Sequence, residues 1–383
     1  MKISLLIFCL SFLLLSSLSA QQLSGTFPYE LVGGKMVVTV EVNGSPRRVI
    51  FDTGAFNCSF PREVARELGL QDTLRQVVTD VNNNRSEYRM AVLDRLAFPG
   101  TPLVFRGFRA LVTDTNPFEC FGADGLIGSE LLSRAILVID GETRTVTITS
   151  AEQPPRASLR VSRGFMKAGV MPVIETTWNG EVVPTLFDTG YGGFLLIRNE
   201  DYSEQASSLR VVAEGVMEGS FGLGGKAADE HTYRVAVDNF GVNTARFTGV
   251  VAETSSAPYS LVGMKLLDFG KVTIDYPRQR FYFEPREREN ELEAPLNDFG
   301  LKVDEGGDLV VTSVWNTETS GIKAGDRVLK INGNPVKKYD FCESITTGIP
   351  ELQRKAKNVL EVETADGIKN VIYRYNKKKD KKR

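Results

Sequence analysis

The sequence predicts a mainly β protein made of two repeated β-rich units and a smaller β unit with short helices. Three observations predict it. A motif of strand, Asn-Gly turn, strand and Asp-Thr-Gly occurs twice in one register. An apolar-apolar-Gly segment followed by strand, turn and strand also occurs twice. A separate Gly-rich strand pattern then follows a charged run. At 383 residues the chain exceeds one ordinary core, so two or three domains are expected.

The first copy runs from Met36 through Asn43-Gly44 to Phe51-Asp52-Thr53-Gly54. The second runs from Pro172 through Asn179-Gly180 to Phe187-Asp188-Thr189-Gly190. Asn-Gly between runs of near-alternating apolar residues is a strong hairpin signal. Downstream, Gly125-Leu126-Ile127-Gly128 matches Ser260-Leu261-Val262-Gly263. Strands at 137–140 and 145–148 match strands at 272–275 and 280–283. Matching motifs at both ends argue for duplication, with units at 25–150 and 165–285. Gln153-Pro154-Pro155-Arg156 reads as the linker between them. A short helix is predicted over 62–68, stopped by Gly69.

The N-terminus reads as a secretory signal over 1–20. Lys2 is followed by an apolar stretch from Leu5 to Leu15 and small residues at Ser19 and Ala20. That stretch falls short of the ~20 residues of a membrane span. The mature chain is therefore expected to be exported, periplasmic or extracellular, with no membrane span. A net charge of -2 gives no electrostatic reason to expect nucleic acid as a partner. The basic tail, 377–383, reads as a solvated end.

Export would leave Cys58, Cys120 and Cys342, enough for one bridge and one free thiol. His231 is the sole histidine and is expected in a solvated loop. With no Cys-x-x-Cys and a single histidine, a zinc site built from His and Cys is not expected. No Gly-x-Ser-x-Gly occurs to support a serine hydrolase.

Paired carboxylates are suited to hydrolysis by an activated water. Held a hydrogen bond apart, they share one proton, so one is the base and the other the acid. Glycine lets the backbone turn tightly beside each carboxylate, and threonine can lock the turn by bonding across to the other motif. Phe51-Asp52-Thr53-Gly54-Ala55 and Phe187-Asp188-Thr189-Gly190 resemble the active-site loops of pepsin-like and retroviral-type aspartic peptidases. The arrangement is similar to bacterial single-chain members with two retropepsin-like β-barrel lobes. That resemblance implies Asp52 and Asp188 as catalytic pair, with Thr53, Gly54, Thr189 and Gly190 in support. It also implies protein or peptide substrates, a water nucleophile and no cofactor. Because the segments carrying Cys58 and Cys120 pack together in this family, it further implies a Cys58–Cys120 disulfide, with Cys342 free. Tyr191 stands where a small residue is usual. Thr79–Tyr88 and Gly215–Tyr233 are the candidate flaps.

A charged run, 286–293, is expected to separate the last unit, so that a chain ending near Glu289 would fold and act alone. Asp298-Phe299-Gly300-Leu301 and the segment from Ser320 to Val336 resemble a PDZ domain over 296–376. The resemblance implies that Phe299, Gly300 and Leu301 hold a peptide carboxylate, with a groove-lining helix near 339–346. Alternative uses are a packing module here and a non-catalytic peptide- or envelope-binding protein overall. Two intact Asp-Thr-Gly motifs favour the enzyme.

Overall fold

The computed structural model describes residues 23–80, 84–150, 170–219, 221–222, 225–226, 228–316 and 321–376. The signal segment, the 153–156 linker, the basic tail, Ser320 and parts of both candidate flaps lie outside the described residues. The protein is mainly β.

In the first repeat, Lys35–Val42 and Ser45–Phe51 form an antiparallel hairpin with Val42 opposite Ser45. Asn43 and Gly44 take φ of 49° and 87°, the left-handed pair this two-residue turn requires. Asn43 also fixes its surroundings: Nδ2 donates to Leu68 O at 3.1 Å and Oδ1 accepts from Arg95 N–H at 3.1 Å. The second repeat behaves alike. Val173–Trp178 pairs with Glu181–Asp188 around Asn179 and Gly180, at φ of 50° and 102°. There Asn179 Nδ2 donates to Ser208 O at 2.6 Å and Oδ1 accepts from Asn239 N–H at 2.8 Å. The helix Arg62–Glu67 ends before Gly69, whose φ is 66°. Asn199–Gln205 is the corresponding helix of the second repeat.

Each Asp-bearing strand lies parallel to the apolar-apolar-Gly strand of its own repeat. Phe51 registers with Ile127, and Phe187 with Val262. Phe51 and Phe187 are fully buried and belong to one core that runs through both repeats. The strands that close the repeats join in a single sheet, ordered Ser24–Pro28, Thr145–Thr149, Ile136–Asp140, Gly270–Asp275, Arg280–Pro285. Ile136 faces Asp275 and Asp140 faces Lys271 across its centre. This shared sheet holds the two repeats face to face.

The C-terminal unit has its own core around Val303, Leu309, Val328, Leu360 and Val362. Its helix Phe341–Thr347, capped by Asp340 accepting from Glu343 N–H, lies against the strand Phe299–Val303. The expected spacer before it is not one. Glu289–Glu291 is a strand parallel to Ala245–Thr248, and Leu292 N–H donates to Thr248 O at 2.9 Å. Main-chain pairing holds this charged run on the second repeat while its charged side chains remain exposed and Leu292 packs on the core.

A second correction concerns the join itself. Strand Arg210–Met217 of the second repeat pairs with Leu309–Trp315, placing Gly215 opposite Trp315 and Met217 opposite Ser313. Gly215 is needed there, since a Cβ would stand 2.1 Å from Val314 O. Arg234 stacks over the Trp315 ring at 4.2 Å, binds Glu253 and donates to Asn297 O at 2.8 Å. The sheet therefore runs without a break from the second repeat into the C-terminal unit.

The expected Cys58–Cys120 bridge is also overturned. Cys120 is bonded to Cys342, across 222 residues, and Cys58 is a free buried thiol pushed up to about 12 by burial. Cys58 points into the apolar core between neighbouring strands. Cys120 lies in the turn Glu119–Phe121, on which the helix carrying Cys342 docks. A bridge closing so long a loop restricts the unfolded chain strongly. Cys120→Ser with Cys342→Ser should lower unfolding stability by about 2–5 kcal/mol, read by denaturant titration. His231, expected in a loop, is on the strand Glu230–Val237, exposed and edge-on to Tyr233.

Candidate active site

The two Asp-Thr-Gly turns meet where the repeats face each other. Thr53 N–H donates to Thr189 Oγ1 at 3.0 Å, and Thr189 N–H donates to Thr53 Oγ1 at 3.1 Å. Each hydroxyl then donates to the far strand: Thr53 to Phe187 O at 2.8 Å, Thr189 to Phe51 O at 2.7 Å. Both threonines are fully buried, and in these four bonds each hydroxyl is used as donor and as acceptor. Valine would fill the space but leave the partner N–H and C=O unpaired.

The glycines allow the carboxylates to approach. A Cβ on Gly54 would stand 2.3 Å from Asp188 Cγ, and one on Gly190 would stand 2.4 Å from Asp52 Oδ2. Each glycine thus sits beneath the carboxylate of the opposite turn. Behind the turns, Gly128 has no room for a Cβ, with Asn57 O at 2.5 Å, and neither has Gly263, with Tyr191 O at 2.3 Å. These obstacles are backbone atoms, which cannot rotate away. Gly128→Ala and Gly263→Ala should each destabilise the fold by about 1–3 kcal/mol, the usual cost of overpacking. Thermal unfolding of the variants checks this, and unchanged melting temperatures would contradict the packing account.

Asp52 and Asp188 are partly buried, and Asp188 is hydrogen-bonded to Asp52. The two are not equivalent. Asp52 Oδ1 accepts from Gly54 N–H at 2.9 Å and Ala55 N–H at 3.1 Å. Asp188 Oδ1 accepts from Gly190 N–H at 2.7 Å, whereas Tyr191 N–H turns to the main-chain Asp188 O at 3.2 Å. Burial, then the charge of Asp52 and their hydrogen bond, push the Asp188 carboxyl well above the usual carboxylate range. A carboxyl raised in this way beside a second carboxyl favours a pair that holds one proton between them.

Tyr191 does not obstruct the site. Its ring folds back over Gly193, its hydroxyl donates to Leu195 O at 3.3 Å, and it packs beside Val173, Leu186 and Leu261. Burial raises its phenol.

Three supporting residues carried no recognisable sequence signal. Lys35 Nζ donates to Gly190 O from the first repeat. Ser129 Oγ donates to Thr53 O at 2.7 Å and lies 3.3 Å from the Tyr276 hydroxyl. Ser129 aligns with Met264, a mismatch that, like Ala55 against Tyr191, hints at asymmetry without assigning a role.

The candidate flaps are the ends of two hairpins, Gln71–Thr79 with Arg85–Leu93 and Arg210–Met217 with Glu230–Val237. In the second, Glu218 pairs with Lys302 and accepts from Thr312 Oγ1 at 2.6 Å, so this hairpin is anchored on the C-terminal unit. Phe299, Gly300 and Leu301 are in the strand Phe299–Val303, with a register shift at Gly300. No cluster of three or more potential metal-ligating side chains occurs among the described residues.

Residues 38–161 match the family model of aspartyl protease. No curated protein matches the chain. Among solved structures, a retropepsin-like aspartic protease from Rickettsia conorii is similar at 19% identity with a TM-score of 0.26. It covers 34% of this chain and 93% of that one. A likeness at that score bears no weight on the whole fold. The family match supports an aspartyl-protease relationship for the first repeat.

Proposed function

We propose that this chain is an aspartic endopeptidase with two duplicated retropepsin-like lobes, about 25–150 and 165–285, and a PDZ domain over 296–376. The carrying observation is the mutual exchange between Thr53 and Thr189, which holds Asp52 and Asp188 hydrogen-bonded to each other. A structural turn needs one capping aspartate. It has no use for two carboxylates pressed together at a desolvation cost.

In this reading a water bound between the carboxylates attacks the scissile carbonyl carbon. Asp52, as the base, takes the water proton, and Asp188, as the acid, gives a proton to the carbonyl oxygen. A neutral tetrahedral diol results. Its C–N bond then breaks as Asp52 returns a proton to the leaving nitrogen. Asp188 takes one from a diol hydroxyl, which becomes the carboxylic acid carbonyl. The dyad ends with the single proton it began with. The two hairpins, the second anchored on the C-terminal unit, would cover the substrate, an extended peptide. The N-terminal signal reading would place the enzyme in a periplasm or outside the cell. The groove between Phe299–Val303 and Phe341–Thr347 would take a peptide C-terminus.

The test is cleavage of an unfolded polypeptide by the purified chain beside its Asp188→Asn variant. Cleavage that survives the substitution would end the aspartic-peptidase reading.

A further inference from the structure

The hairpin formed by Glu30–Val32 and Lys35–Val42 turns at Gly33 and Gly34, with φ of 55° and 79°. Its tip belongs to the first repeat but rests on the second: Gly34 O lies 3.3 Å from the Cβ position of Gly192. The residue leaving that turn is Lys35, in a segment that is otherwise glycine and apolar. Its side chain runs over the Phe121 ring, 5.9 Å from the centroid, and donates from Nζ to Gly190 O. Gly190 is the last residue of the second Asp-Thr-Gly, and its N–H is the donor to Asp188 Oδ1. One peptide segment is thus gripped on its carbonyl side by a lysine and bonds the carboxyl on its amide side.

We propose that Lys35 is a positioning residue of the dyad, holding the second Asp-Thr-Gly turn by its carbonyl and setting the pH range over which the pair carries one proton. The inference rests on the peptidase reading for its meaning in catalysis. Among the described residues no ammonium bonds the equivalent carbonyl of the first turn, Gly54 O; there the Ala55 N–H supplies a second bond to Asp52. Lys35 therefore offsets the bond that Asp188 lacks. A cation this near favours the ionised pair. The charge of Lys35 opposes the rise that burial and Asp52 impose on Asp188. Among the described residues, Tyr191, itself close to Glu253, lies by Asp188, and Tyr276 lies on the Asp52 side. Burial raises both phenols, which stay neutral across the range concerned. Lys35 is then the group that supplies positive charge to Asp188.

The experiment compares the pH–rate profiles of the wild type, Lys35→Arg, Lys35→Gln and Lys35→Met. Removing the cation raises both macroscopic values of the dyad, so both limbs for Lys35→Met and Lys35→Gln should move upward by about one pH unit or more. Lys35→Gln keeps a donor for Gly190 O, so it should lose less kcat than Lys35→Met while shifting as far. Lys35→Arg should keep the wild-type limbs. Limbs unmoved in Lys35→Gln, or moved equally in Lys35→Arg, would overturn the proposal, whatever happens to the rate. Melting temperature against pH supplies a readout that needs no activity. A raised folded-state value for the pair makes stability fall as pH climbs from the ordinary carboxylate range to that value. Lys35→Gln should extend the fall to higher pH. A chain with no proteolysis but with this extension would sink the peptidase reading and keep the role of Lys35. An active chain without it would do the reverse.

Discussion

Asp52→Asn and Asp188→Asn are each expected to lower kcat/KM on a peptide substrate by about a thousandfold or more. An amide in place of the Asp52 carboxylate cannot accept a water proton, and one in place of the Asp188 carboxyl cannot give a proton up to the carbonyl oxygen. Neither change alters the shape of the turn, because an amide can keep the N–H bonds that Asp52 and Asp188 accept through Oδ1. The double variant should be about as slow as either single one, since the two groups act as one unit. Stability should respond in the opposite sense to activity. The raised Asp188 carboxyl makes the wild type lose stability as pH rises above the ordinary carboxylate range. Asp188→Asn has no such group, so at neutral pH it should melt no lower than the wild type and should lack that slope. Activity near wild type in either single variant, or additive losses in the double one, would refute the shared-proton account.

A chain ending at Glu293 is expected to lose about 3 kcal/mol or more of stability, with the loss focused on the hairpin 210–237. The reason is the continuous sheet. Truncation strips the partner strand from Arg210–Met217 and takes away the Trp315 ring beneath Arg234. Arg234 is largely buried, and it also loses Asn297 O, so it is left beside Glu253 with part of its hydrogen-bonding fork unpaired. Glu218 loses both Lys302 and Thr312 at the end of the hairpin. Limited proteolysis should therefore nick the truncated chain within 210–237, where the full chain resists. A lower melting temperature and slower peptide cleavage should accompany it. If the truncated chain melts and cleaves like the full one, the C-terminal unit is a free module and the sheet join contributes nothing.

The anchored hairpin gives the C-terminal unit a physical link to the site. The strand that would receive a peptide, Phe299–Val303, holds Lys302 against Glu218. On its other side, the helix Phe341–Thr347 is tied through Cys342 to Cys120, beside the Phe121 ring over which Lys35 passes. The unit thus touches both repeats close to the elements that frame the two aspartates.

Sequence by itself determined whatever depends on neighbours a few residues apart. Asn43-Gly44 and Asn179-Gly180 announced their turns because only such residues accept two left-handed conformations in succession. Gly69 announced the end of its helix for the same reason. The alternating apolar runs gave the strands, and the repeat register put Asp52 and Asp188 at matching ends of matching strands. Tertiary structure decided whatever depends on which surfaces meet. Cys120 had two conceivable partners in sequence, and docking of the 341–347 helix on 119–121 chose Cys342 over Cys58. The run 286–293 looked like a spacer because charge predicts solvent contact for side chains, while its backbone was free to join a sheet. Lys35 could not be read as part of the site, since its partner Gly190 lies 155 residues away in the other repeat. Local chemistry fixes turns and periods, but a hydrogen bond between distant segments exists only once packing has brought them together.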